Sequence, residues 1–291
     1  MSKAYPQIDV RTNAPLPADF LVPQRHEDYT AQDHATWETL FHRQREVLHG
    51  RVVEEFFDGL AALNIESHGI PDFSDINRVL SRATGWSVVA VPGLVPDDVF
   101  FAHLAARRFP AGYWIRKPEQ LDYIEEPDVF HDVFGHVPLL MQPRYADYMA
   151  AYGRAGLAYA GKPALTNLAR LYWYTVEFGL MQTRAGLRIF GAGIISSAGE
   201  AVYALADAEP ARVRLDSERV LRTDYEIDRY QRIYFVLSGY DDLPALQRAE
   251  LDRHIAAIER ARVLAPGELT DSDVPTLPPT AAAGAESRAP S

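Results

Sequence analysis

Cysteine is absent from all 291 residues, which excludes a disulfide framework, a Cys-ligated zinc site, an iron–sulfur cluster and a thiol nucleophile. Any metal has to be held by nitrogen and oxygen. Long apolar runs are missing too: no window approaches the roughly 20 uninterrupted apolar residues of a membrane span, and MSKAYPQIDVRTNAPLPADF holds no stretch of signal-peptide length. The expectation is a cytoplasmic chain with no membrane partner. Positive charge is in deficit, with 29 Lys and Arg against 40 Asp and Glu, a formal charge of −11. That is the wrong sign for a surface that tracks phosphate backbones, so nucleic acid is not an expected partner. What is present is ordinary globular material, 47% hydrophobic and 24% charged, long enough to bury a sizeable core.

Composition divides the chain into three zones. Residues 1–27 carry four prolines and no sustained periodicity, and read as an extended arm. Residues 28–263 contain no linker and no internal repeat, and read as one compact domain. Residues 264–291, rich in Pro, Ala, Ser and acidic side chains, read as a disordered tail.

Within the middle zone helical signals dominate. Thr30 with Asp33 opens a stretch whose apolar residues Trp37, Leu40, Phe41, Val47, Leu48 and Val52 recur every three or four positions, predicting one long helix or two. DFSDINRVLSRATG is a capped helix stopped by Gly85, WSVVAVPG a short strand, and VPDDVFFAHLAARRF helical again. YWIRKPEQLDYIEEPD reads as irregular chain with at most one strand. MQPRYADYMAAYGRAGLAYA is a helix, and Thr166 opens another through TNLARLYWYTVEFGLMQ. LRIFGAGIISSAGEAVYAL leads from a strand or loop into helix, and the segment from Tyr225 to Ala261 closes the core as helix. The predicted fold class is mainly α with a few short strands.

The segment from Glu126 to Pro138, EPDVFHDVFGHVP, sets two histidines and two aspartates among Val and Phe. His131 and His136 are five apart, which leaves them about 140° apart on an ideal α-helix. Gly135 and Pro138 stand where they can bend or end that helix and let the rings converge. Such a pair reads either as metal ligands or as structural histidines on an apolar helix. A second segment, LYWYTVEFGL, is an apolar helix interrupted by one carboxylate, Glu177, which is costly to bury without a partner. Two imidazoles and a carboxylate suit a non-haem Fe(II) centre with open positions for O₂, and they also suit hydrolytic zinc.

Together with FGAGIISSAGE, and with WIR ahead of them, these two motifs resemble the pterin-dependent aromatic amino acid hydroxylases. The resemblance covers most of residues 86 to 240. In length it is nearest to the bacterial members that hydroxylate phenylalanine, which lack a regulatory domain and a tetramerising helix and so imply a monomer. It implies a single catalytic domain of that type, with Fe(II) bound by His131, His136 and Glu177. A tetrahydropterin, tetrahydrobiopterin or a related bacterial pterin, would serve as cosubstrate with O₂, and L-phenylalanine as substrate. A tryptophan or tyrosine hydroxylase is the sibling alternative, and a zinc hydrolase the remote one. By the same resemblance Arg116 pairs with the substrate carboxylate, and Asp128 orients a ligand ring or holds Arg116. Phe130 and Trp173 line the ring pocket, Ser196 lies near the polar end of the amino acid, and Glu200 supports that wall. On the pterin side it implies Gly93, Leu94, Val95 and Phe100, with Asp132, Ala169 and Tyr172 nearby. Pro110 departs from a histidine of animal relatives, which weakens the expectation of a pterin contact there. Ile227 aligns with an acidic position of tyrosine hydroxylases and leans toward phenylalanine.

Overall fold

The computed structural model describes residues 5–66, 68–122, 124 and 126–276. The arm carries a two-stranded hairpin, β1 Ile8–Asp9 and β2 Ala14–Pro15. The first long periodic stretch breaks into two helices, α1 Ala31–Leu48 and α2 Glu54–Ala62. The Thr30 hydroxyl accepts from the Asp33 amide at 3.2 Å while the Asp33 carboxylate accepts from the Thr30 amide at 2.8 Å, a reciprocal cap that satisfies two otherwise orphan donors. Helix α3, Phe73–Thr84, starts at an Asp72 cap and stops at Gly85, whose φ of 75° is a conformation that glycine adopts without a Cβ penalty.

Strand β3 (Ser87–Val91) pairs in parallel with β4 (Arg108–Gly112), and α4 (Asp97–Ala105) crosses between them. The helix predicted through Phe109 therefore ends early, at a left-handed Arg107 (φ 54°). The segment from Tyr113 to Asp128 holds only a short 3₁₀ turn, Pro118–Gln120, among the described residues. Helices α5 (Pro143–Tyr159) and α6 (Leu165–Tyr172) follow; α6 begins one residue before Thr166 and has no side-chain cap.

A four-stranded sheet lies beyond: β5 (Leu180–Thr183), β6 (Gly186–Ile189), β7 (Ala211–Arg214) and β8 (Ile233–Leu237), in the order β6-β5-β8-β7. Helices α7 (Ala192–Ile195), α8 (Ala198–Ala206) and α9 (Ser217–Leu221) fill the connections, and α10 (Arg248–Ile258) closes the domain. Strand β8 corrects the expectation of helix from Tyr225 onward. All five of its residues are buried and it has parallel neighbours on both edges. Such a strand shows an unbroken apolar run with no period to distinguish it from buried helix.

One hydrophobic core runs from Trp37 to Ile258. Helices outnumber the short strands, and none of the described helices is long and apolar enough to cross a membrane. The boundary of the expected tail needs correcting. Leu264 is buried, Pro275 bridges to Val213, and Asp273 pairs with Arg219 at 2.8 Å. Composition missed this because the anchoring is polar and relies on a partner 54 residues away. The rest of that call, residues 277–291, lies outside the described residues.

Candidate metal centre and its cleft

His131 and His136 lie on one side of a π-helical turn, Phe130–His136. A π turn bonds i→i+5 and is wound more widely than an α-helix, so residues five apart come onto one face and the 140° separation of an ideal α-helix narrows. This winding, rather than a chain break at Gly135, brings the rings together; Pro138 follows in a 3₁₀ turn, Val137–Met141. Glu177 ends a second π turn, Trp173–Glu177, in which the Phe178 amide donates to the Trp173 carbonyl at 2.8 Å. Helix α7 packs against both turns. The two glycines of the FGAG motif permit that approach: a Cβ at Gly191 would sit 2.4 Å from the Glu177 carbonyl oxygen, and one at Gly193 would sit 2.8 Å from the Phe178 ring.

The result is a compact donor set. His131 Nε2 and His136 Nε2 are 3.2 Å apart, His136 Nε2 is 3.3 Å from Glu177 Oε1, and His131 Nε2 is 3.7 Å from Glu177 Oε2. It is the only such cluster among the described residues. The tautomer of His131 follows from its neighbour. With the Ser196 hydroxyl given to the Ala192 carbonyl at 2.9 Å, the arrangement that satisfies both contacts has His131 Nδ1, 2.8 Å from Ser196 Oγ, as the donor to that oxygen. That leaves the Nε2 lone pair directed at the other ligands, the arrangement a metal requires. Burial holds the His131 imidazole down to about 4. Burial works to raise Glu177, but the charge and hydrogen bond of His136, with His131 and the Gly193 amide, outweigh it and keep the carboxyl below its ordinary value. Two imidazole nitrogens and a carboxylate converging on one point fit a divalent cation, which would displace any proton they hold.

Asp128 resolves the two roles considered for it. Fully buried, it accepts from Arg116 Nε at 2.8 Å and Nη2 at 2.9 Å, from the Arg116 amide at 2.9 Å, and from the His131 amide at 3.0 Å. It holds Arg116 and the backbone of His131, not the imidazole ring. Phe130 is wholly buried, stacked on Phe134 at 4.7 Å and edge-on to Trp37, with the Arg116 guanidinium 5.8 Å from its ring centre. It is core beneath the arginine, which corrects its expected place on the substrate wall. Trp173 is partly exposed, stacked on Tyr225 at 4.3 Å, and donates from Nε1 to Gln231 at 3.0 Å. Ser196 serves His131, as above. Glu200 is buried and accepts from the Gln231 amide at 3.1 Å and the Tyr234 hydroxyl at 2.8 Å; burial pushes it up to about 7.

A cleft of about 200 Å³ opens over the three donors. Gly93, Leu94, Val95, Phe100, Asp132 and Tyr172 line it. Ala169, one helical turn before Tyr172 on α6, is not among the lining residues; Pro110 is, despite its departure from the histidine of animal relatives. Asp132 accepts from the Gly112 amide at 2.7 Å, and burial raises its carboxyl to about 7. Sequence reasoning missed Tyr5, Val91, Asp97, Phe109 and Pro127 on these walls; Pro127 stands inside the Glu126–Pro138 motif, but its side chain carries no chemistry that would single it out. Ile227 is 73% exposed and takes no part in the cleft, so it carries no information on substrate choice. A larger hollow, about 520 Å³, lies beside α1 and α2, but its polar residues Arg45, His49, Glu66 and His68 are exposed and form no ligand cluster.

Comparison with known proteins agrees with this geometry. Phenylalanine-4-hydroxylase of Caulobacter vibrioides is 56% identical over 255 residues, covering 87% of this chain and 86% of its own. That of Ralstonia nicotianae is 53% identical over 258 residues, covering 89% and 82%. A crystal structure of Chromobacterium violaceum phenylalanine hydroxylase with bound iron(III) and oxidised 7,8-dihydrobiopterin superposes with a TM-score of 0.87 at 48% identity, covering 94% of this chain and all of that one. Another from the same organism holds iron and phenylalanine, with a TM-score of 0.86 at 46% identity over 93% of this chain. Residues 21–272 match the biopterin-dependent aromatic amino acid hydroxylases, and the chain belongs to that family.

Proposed function

We propose that this chain hydroxylates L-phenylalanine to L-tyrosine, using O₂, a tetrahydropterin cosubstrate and Fe(II) held by His131, His136 and Glu177. The observation that carries this reading is the convergence of those three donors, 3.2–3.7 Å apart, on a cleft walled by Gly93, Leu94, Val95 and Phe100. When bound, iron together with the reduced pterin supplies O₂ activation and the two electrons that the chemistry needs.

The protein's own residues position and exclude. Asp128 occupies Nε and one N–H of Nη2 of Arg116. Nη1, with no recorded partner among the described residues, is left for the substrate carboxylate, a role suited to a guanidinium. Ser196 fixes the His131 tautomer, and Asp128 fixes its backbone. Trp173, steadied by Gln231 and Tyr225, offers a flat apolar face for the substrate ring. Phe100, Phe109 and Tyr172 line the cleft with apolar surface that keeps bulk water from the reacting atoms. Asp132 lines the cleft, and Glu200 holds Gln231, the hydrogen-bond partner of Trp173. We further propose that the chain works as a cytoplasmic monomer with one catalytic domain.

The test is product analysis on metal-stripped protein with each aromatic amino acid in turn, with and without tetrahydropterin and with Fe(II) or Zn(II). Tyrosine from phenylalanine only when both Fe(II) and pterin are present supports the reading. Preference for tryptophan or tyrosine points to a sibling activity, and Zn(II)-dependent hydrolysis without pterin overturns the proposal.

A further inference from the structure

The N-terminal arm reaches the cleft. Asp9, only 4% exposed, accepts from the Arg11 amide at 3.0 Å, from Arg11 Nε and Nη2 at 3.2 Å each, and from the Tyr113 hydroxyl at 3.4 Å. The Arg11 guanidinium lies 3.5 Å over the Tyr113 ring and donates to the carbonyls of Pro23 and Gln24 at 2.8 and 2.9 Å. This knot ties the hairpin to the residue that follows β4, the strand whose Phe109 and Pro110 line the cleft. Four residues before Asp9, Tyr5 borders the same cleft beside the Gly93–Val95 loop, Asp97 and Phe100. Burial, with the carboxylates of Asp97 and Asp98, raises its phenol above the ordinary value, so the ring is neutral across the physiological range.

We propose that Tyr5 is a binding residue for the pterin, its ring forming a wall of the cosubstrate cleft while the knot of Asp9, Arg11 and Tyr113 fixes where the arm presents it. The inference rests on the function proposed above, because it takes the occupant of the cleft to be a flat, polar heterocycle. An aromatic wall suits such a ligand: ring-on-ring contact adds affinity and costs little ordering entropy, provided the segment carrying it is anchored. Here the anchor is polar and buried, while Pro6 and Gln7, between Tyr5 and β1, form no regular element. The arm therefore adds to a cleft otherwise built from the middle of the chain.

The experiment compares the full-length parent with Tyr5→Ala and Tyr5→Phe. It measures the KM for tetrahydropterin, the Kd for a 7,8-dihydropterin without turnover, the KM for phenylalanine, kcat and Tm. Tyr5→Ala should raise both pterin constants about tenfold, while the KM for phenylalanine stays within twofold and Tm within about 2 °C; Tyr5→Phe should stay within twofold of the parent throughout. Pterin constants unchanged in Tyr5→Ala overturn the inference. So does a rise shared equally with the KM for phenylalanine and accompanied by a large fall in Tm, which is the mark of a structural role. Equal losses in Tyr5→Phe and Tyr5→Ala overturn the ring wall. A parent that binds no pterin overturns the functional reading and this inference with it, whereas a parent that binds pterin beside an unaffected Tyr5→Ala overturns this inference alone.

Discussion

Asp128→Asn tests the idea that one buried carboxylate organises both the substrate arginine and the first metal ligand. Asp128 accepts four hydrogen bonds, three from Arg116 and one from the His131 amide, with side-chain exposures of 0% for Asp128 and 5% for Arg116. An asparagine of the same shape has one accepting oxygen, and its NH₂ group would face N–H donors. About half of the bonds are lost and the guanidinium is left buried without its counter-ion. Breaking one partner of a buried pair costs about 3–5 kcal/mol, a large share of the ~5–15 kcal/mol that holds a domain folded. At ~2–4 °C per kcal/mol for a chain of this size, Tm should fall by about 10 °C. Because Arg116 loses the fork that aims it, the KM for phenylalanine should rise at least tenfold while the KM for pterin changes far less. Calorimetry and steady-state kinetics on one preparation give both numbers. A Tm within 2 °C of the parent refutes the energetic reasoning. A large fall in Tm with an unchanged KM for phenylalanine refutes the assignment of Arg116 to the substrate.

Glu200 sits at about 7 in the fold against an ordinary 4.5, so its folded carboxyl binds protons more tightly than the unfolded one. Its contribution to stability is full below pH 4.5 and is lost as pH rises through 7, by up to about 3 kcal/mol. Glu200→Gln should therefore flatten the fall in Tm between pH 5 and pH 8, and parallel profiles for parent and variant would contradict this. Gly193→Ala places a Cβ 2.8 Å from the Phe178 ring and 3.0 Å from the Glu177 carbonyl oxygen; it should cost about 1–3 kcal/mol by overpacking and weaken Co(II) binding about tenfold in calorimetric titration, and unaltered affinity would show that α7 does not set Glu177. Asp273→Ala strands Arg219, 4% exposed, which also donates to Thr223 and the Glu268 carbonyl. About 3 kcal/mol of stability should go, as should the integrity of any truncation before Thr270, and an unchanged denaturation midpoint would mean that the segment after Leu264 contributes nothing.

Local chemistry written at fixed spacing could be read before any coordinates. The Thr30–Asp33 cap, the Asp72 start and Gly85 stop of α3, and the three metal-site donors each depend on residues a few positions apart or on a motif. What could not be read depends on partners far away in the chain. The convergence of His131 and His136 needs π winding, which no 3.6-residue period reveals. Strand β8 is buried on both faces, so Ile233–Leu237 lost the alternation that marks a strand. The resemblance put Phe130 in the ring pocket, yet its side chain turns into the core against Trp37. The docking of Asp273 on Arg219 and the placing of Tyr5 at the cleft both join polar arms of low hydrophobicity to the body of the fold, and composition by itself treats such arms as solvent-exposed chain.

The central claim is that His131, His136 and Glu177 hold the iron that hydroxylation requires. Its most direct test is to strip the protein of metal, reload parent and Glu177→Gln with Fe(II), and measure bound iron per chain alongside tyrosine formed with tetrahydropterin, phenylalanine and O₂. The account predicts one iron per chain and iron-dependent tyrosine formation for the parent. For the variant it predicts a cooperatively folded chain with weakened iron binding and no tyrosine. A Glu177→Gln protein that retains one iron and makes tyrosine at the parent rate would contradict it.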